Sequence, residues 1–153
     1  MFRSLFDEEG DGHNDLLVKL DVMISSAWLV DTYYLLESCN GDDFTSAAHS
    51  YLEWVMTELT KDRTDVFFIP IDLSDQNFGG FFVERQKRGL LLFQYGTRGS
   101  VPTFTFSFSH PSSQSLDRAS FKLDAPVLIS REGALNGLAW SLNRLERLSA
   151  GQG

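Results

Sequence analysis

Cysteine is almost missing from this 153-residue chain. Cys39 stands alone, which excludes an intrachain disulfide and a multi-cysteine zinc site and suits a reducing compartment. A lone cysteine of this kind reads as a small buried hydrophobe rather than a nucleophile. Histidine is scarce and scattered as His13, His49 and His110, too dispersed for a ligand set at metal spacing. Long apolar runs are absent as well. No stretch is long enough to span a bilayer, and Asp7, Glu8 and Glu9 interrupt the N-terminus before a signal-peptide core can form. The expectation is a soluble, cytoplasmic protein with no membrane partner. The Gly-x-Ser-x-Gly elbow and the lysine-bearing phosphate loop are also lacking, so no cofactor is expected.

What is present is charge, and it is unevenly spread. Residues 1–62 carry thirteen Asp or Glu against Arg3, Lys19 and Lys61, a balance of −10, whereas residues 63–153 carry ten basic and eight acidic residues. Segregation of this kind sets the sign of a partner and the rate of encounter rather than the fold. A basic protein partner fits; nucleic acid bound through the first half does not.

The length matches one domain, and 42% hydrophobic content with thirteen Phe argues for a packed core over residues 1–153. Residues 1–14, acidic and glycine-punctuated from Asp7 onward, and 149–153, without a large apolar side chain, are expected to be loose. Phe104, Phe106 and Phe108 alternate with hydroxyl residues from Thr103 to Ser109, the period of a half-buried strand. With Val66–Leu73, Phe81–Arg85 and Leu90–Tyr95, joined by short polar or glycine turns, they predict an antiparallel meander over 65–109, followed by a strand at Ala119–Asp124. Pro70 marks its strand as an edge or a bulge. Gly79-Gly80 and Gly96-Thr97-Arg98-Gly99 read as turns.

Two helices are predicted. From Asp42 or Asp43 as N-cap, Phe44, Ala47, Ala48, Tyr51, Leu52, Val55 and Leu59 make one stripe that ends near Lys61. From Ser130 as N-cap, Ala134, Leu135, Leu138, Leu142, Leu145 and Leu148 make another. Residues 15–39 read as two strands, Leu16–Ile24 and Trp28–Leu36, although one long helix stopped by Asn40-Gly41 fits the same letters. The predicted class is α+β, an antiparallel sheet with two main helices packed on it.

Three constellations have the raw material for chemistry. His49 and Glu53 at i and i+4 lie opposite the apolar stripe of their helix; with no third ligand they read as a solvated pair and, at most, as a hydrolase pair. Arg85, Lys87, Arg88 and Arg98 fall among Phe81, Phe82, Phe93 and Tyr95, the composition of a sheet that holds single-stranded RNA, against the repulsion of a net charge of −8. Trp140 projects away from the leucine stripe, either as an exposed anchor or as a ring lying under Arg144.

In general style the chain resembles the small immunity proteins encoded beside bacterial polymorphic and contact-dependent growth-inhibition toxins. The residues that carry this are Ala27-Trp28-Leu29 before an acidic stretch, the run Phe67-Phe68-Ile69-Pro70-Ile71-Asp72, and Phe78-Gly79-Gly80-Phe81-Phe82-Val83-Glu84 leading into a hairpin. The resemblance implies a cytoplasmic, non-enzymatic protein that neutralises a cognate toxin, often a nuclease with a basic cleft. The expected contact surface is Asp31, Glu37, Asp42, Asp43, Glu53 and Glu58, with Trp140 as a hydrophobic anchor. A regulatory adaptor for another protein is the alternative.

Overall fold

The computed structural model describes residues 1–7, 9–20, 27–39, 43–62, 64–73, 77–99 and 116–150, with backbone alone for 37–39. In chain order the elements are β1 (Phe2–Phe6), β2 (Leu16–Leu20), β3 (Ala27–Val30), α1 (Thr32–Cys39), α2 (Phe44–Thr60), β4 (Phe67–Asp72), β5 (Asn77–Gln86), β6 (Leu90–Gly99), β7 (Lys122–Leu123), β8 (Val127–Ser130) and α3 (Arg131–Ser149). The class is α+β, as the sequence predicts, but the strands divide into two antiparallel sheets. One has the order β1-β2-β3; the other has the order β4-β5-β6-β7, with β8 also paired to β6.

Alternation decides what each strand turns inward. Phe2, Leu16, Val18, Leu20 and Val30 of the first sheet are buried, and so are Ile69, Phe81, Val83, Leu91 and Phe93 of the second. The two inner faces meet ring to ring: Phe2 lies 6.1 Å from Phe93, and Trp28 lies 4.7 Å from Phe81 and 5.4 Å from Tyr95. Helix α2 joins this core through Ala47, Ala48, Tyr51, Leu52, Val55 and Leu59, and α3 through Ala134, Leu138, Leu142 and Leu145, the stripes that 3.6 periodicity predicts. Both caps are as expected: the Asp43 carboxylate accepts from the Ser46 N–H at 2.7 Å, and the Ser130 hydroxyl accepts from the Gly133 N–H at 3.0 Å. At the other end of α2 two arginines close its orphan carbonyls. Arg131 donates to Leu59 and Thr60, and Arg85 donates to Leu59 and Lys61 while pairing with Asp62 at 2.8 Å.

Several expectations are corrected. Residues 2–6, placed in a loose N-terminal segment, form β1, whose Phe2 is fully buried. The outer edge of β1 is covered by α3: the Ser4 N–H donates to Ser141 Oγ at 2.9 Å, and that hydroxyl donates to the Gly137 carbonyl at 2.9 Å. Gly137 permits the approach, because a Cβ there would stand 2.0 Å from the Phe2 carbonyl oxygen. In residues 15–39 the first strand is present, but the second is only Ala27–Val30, and the chain turns into α1 at Thr32. Gly79, Gly80, Gly96 and Gly99 are strand residues, not turns. Gly80 and Gly96 face each other across β5 and β6, where rings lie over the backbone; a Cβ on Gly80 would meet the Ile69 carbonyl oxygen at 2.2 Å. The hairpin turn at Lys87–Gly89 is as predicted, with Arg88 and Gly89 at positive φ. Pro70 meets both expectations, since β4 is terminal in its sheet and its register shifts between Pro70 and Asp72. The Ala119–Asp124 strand is reduced to Lys122–Leu123 behind a short 3-10 turn at Arg118–Ser120, and β8 was not foreseen. The strand predicted at Thr103–Ser109 lies outside the described residues, as does the C-terminal end beyond Ala150.

Candidate partner-binding surface

The acidic segment between β1 and β2 is held by its own carboxylates. Asp15 is buried and accepts two hydrogen bonds from Thr32, one from the backbone N–H at 3.1 Å and one from the hydroxyl, so it fastens the end of the loop to the first turn of α1. Asp31 Oδ1 accepts from the Asn14 N–H at 2.5 Å, and Asp31 Oδ2 lies 3.4 Å from His13 Nδ1. The His13 ring stacks on Tyr33 at 5.7 Å, and the Tyr33 N–H donates to the Gly12 carbonyl at 3.0 Å. Gly12, at φ 94°, is pressed against the Phe44 ring and Tyr33 Cβ, which brings the loop to the first residue of α2 as well.

One end of the molecule therefore gathers Asp7, Glu9, Asp11 and Asp43, all exposed, around the partly buried Asp31. Among the described residues no lysine or arginine pairs with any of the five. The N-termini of α1 and α2 open toward this pole, and their partial positive charge offsets part of the repulsion among its carboxylates. Asp7, Glu9 and Asp11 were not in the predicted contact set. The loop's negative composition was a signal for them, but composition alone did not show that the loop is built.

The other predicted contact residues are distributed differently. Asp31 and Asp43 belong to the pole. Glu53 does not: it lies ten residues further along α2, roughly 15 Å at helical rise, and its carboxylate is 3.4 Å from His49, whose other ring nitrogen is 3.8 Å from Glu146 of α3. Glu58 is corrected outright, because it is buried at 2% exposure and paired with Lys61, so it cannot present charge to a partner. Asp42 and the Glu37 side chain lie outside the described residues.

Trp140 is 41% exposed but is not near the pole. Its ring lies between two guanidinium groups, Arg3 at 5.2 Å and Arg144 at 6.0 Å. The Arg144 contact was weighed from the sequence; Arg3, from β1, was not foreseen. The arginines and aromatics with the composition of an RNA-holding sheet do not share an open face either. Phe81, Phe93 and Tyr95 point into the core, Arg85 is engaged at the end of α2, and Phe82 is buried beneath Arg118 at 5.7 Å. Tyr95 packs deeply enough that burial, followed by the nearby Asp72 and Asp124 charges, pushes its phenol up to about 12. The fully buried Tyr51 phenol is driven higher still by desolvation and donates to the Pro70 carbonyl at 2.7 Å.

Among the described residues no group of three His, Cys, Asp or Glu side chains is arranged to hold a metal, and no helix is long and apolar enough to cross a membrane. Comparison with protein-family models, curated sequences and solved structures finds no match to this chain.

Proposed function

We propose that this chain is a non-enzymatic, cytoplasmic binding protein that docks its acidic pole on a basic protein surface, in the manner of an immunity protein that neutralises a cognate toxin. The observation that carries the proposal is the gathering of Asp7, Glu9, Asp11, Asp31 and Asp43 where the loop is braced against two helix starts, with no lysine or arginine partner among the described residues. A preformed charged surface raises the encounter rate with a partner of opposite sign by roughly 10- to 1000-fold and loses little entropy when it docks. A basic nuclease cleft fits that description. The same pole would also serve a regulatory adaptor with a basic partner.

The test begins with the gene immediately upstream and uses any toxin domain that it encodes. Its association, followed by stopped flow, should slow steeply between low and physiological salt. Asp11→Lys combined with Asp43→Lys should slow it further, with dissociation less affected. A rate indifferent to salt and to these substitutions overturns the acidic-pole reading. A metabolic neighbourhood with no toxin gene overturns the immunity reading and leaves the adaptor.

A further inference from the structure

We propose that the outer face of the three-stranded sheet, together with Trp140, is a second docking surface, and that it takes a partner protein segment that is apolar on one side and acidic along one margin. The surface adjoins the acidic pole, since Asp7 and Asp31 follow Leu5 and Leu29 by two residues and so come next on the same side of the sheet, but its occupant is independent of what the pole binds. Register places Leu5 opposite Leu17 and Leu17 opposite Leu29, so the three leucines form one row across β1, β2 and β3. Leu5 and Leu29 are 43% and 48% exposed, which makes this a continuous apolar strip in water rather than scattered single side chains.

The next row supplies the sign of the occupant. Arg3 and Lys19 are direct cross-strand partners and project on the same side as the leucines. Like charges opposed across a ladder are destabilising, yet two of the three basic residues in the first 62 positions are placed there. Among the described residues neither has an ion pair, and the same is true of Arg144, which shares the exposed Trp140 ring with Arg3. In a chain of net charge −8, three cations with no ion pair among the described residues thus lie on the side of the apolar row away from the pole, beside an exposed tryptophan. Carboxylates on an occupant would relieve the Arg3 and Lys19 repulsion, while its apolar side covered the leucines.

Three strands at about 4.8 Å spacing give a row about 10 Å wide, the width of one helix. A protein segment is favoured over an anionic lipid surface because the chain's overall negative charge and its acidic pole oppose approach to a large anionic plane, whereas a narrow segment meets only the local cations.

The probe is a synthetic amphipathic helix of about five turns with a leucine face and glutamates along one margin, compared with the same peptide carrying lysines at those positions. Amide chemical shifts of the intact protein should move at Leu5, Leu17, Lys19 and Leu29 and at the Trp140 indole. The glutamate peptide should bind at least about tenfold more tightly than the lysine peptide. Lys19→Glu, an exposed substitution, should erase that preference, and Leu29→Ser should weaken the glutamate peptide without changing the melting temperature. Equal binding by both peptides, no binding by either, shifts confined to other surfaces, or movement of these residues by phosphatidylglycerol vesicles but not by the glutamate peptide would each overturn the proposal.

Discussion

The outer face of the five-stranded sheet and the outer face of the three-stranded sheet carry the same ingredients, apolar side chains and arginines, and end in opposite states. On the first, Phe78, Phe82 and Phe121 are buried, and Phe68 stacks among them at 5.0 to 5.7 Å. Arg98 lies 4.7 Å from the Phe121 ring and 5.3 Å from Phe78, Arg118 covers Phe82, and the two guanidinium groups bond to Ser120 and Gln94. On the second, Leu5 and Leu29 stay open and Arg3 lies over the Trp140 ring. The difference lies in shape. Gly80 and Gly96 leave the sheet floor bare so that flat rings can lie on it, and a flat ring offers a guanidinium a face to cover. Leucines in a row offer no such face. Apolar and cationic residues together do not say whether a surface is closed; register and ring geometry do.

Substitutions can break that comparison, beginning with the largest effect. Phe82→Ala should cost about 4 kcal/mol, because it empties the centre of the closed face and strands Arg118. A loss below about 1 kcal/mol in chemical denaturation would mean that this face is as open as the other. Gly80→Ala should cost about 3 kcal/mol, since the new methyl group must displace the backbone of β4 rather than a flexible side chain; a neutral result would remove the bare-floor explanation.

Alkali probes the core between the two faces. The Tyr95 phenol ionises near about 10 in an unfolded chain but at about 12 in the fold. The unfolded state therefore releases its proton first, and stability that is intact below about pH 10 declines as pH rises toward 12. Tyr95→Phe should make the fall in melting temperature over that window shallower. An unchanged slope would place the phenol in water.

Smaller changes sharpen the comparison. Arg98→Met should cost about 1 kcal/mol, the scale of a partly desolvated cation-π contact, and should raise binding of a hydrophobic dye at the uncovered rings. Leu29→Ser on the open face should stay within about 0.5 kcal/mol of the parent. A loss comparable with that of Phe82→Ala would show that the leucine row is packed in solution, and the contrast would disappear.

Legibility in the sequence followed the range of the interactions. The stripes of α2 and α3, their caps at Asp43 and Ser130, the Lys87–Gly89 turn and the edge character of Pro70 were readable because each is set by residues within a few positions of one another. β1 was hidden, since Phe2–Phe6 is too short to show a period, and its burial depends on α3, more than 130 residues away. Gly80 and Gly96 looked like turns because local letters cannot distinguish a glycine that bends the chain from one that leaves room for a ring on another strand. Of the candidate contact residues, Asp31 and Asp43 were chosen by charge, and the fold places them near the acidic loop. Charge equally suggested Glu58, whose position on α2 is in fact buried against Lys61.

By itself the sequence determined the α+β class, the two long amphipathic helices, the antiparallel hairpin and the negative sign of the first 62 residues. Periodicity, capping and net charge are local or additive properties of the chain. Only the tertiary structure decided that Asp7, Glu9, Asp11, Asp31 and Asp43 share one pole, that Arg3 and Lys19 stand together beside a leucine row, and that Trp140 lies between two arginines. Those arrangements come from strand register and from the docking of α3 on β1. Each is a pairing between distant segments, which the packing of the whole core selects and no single window of residues contains.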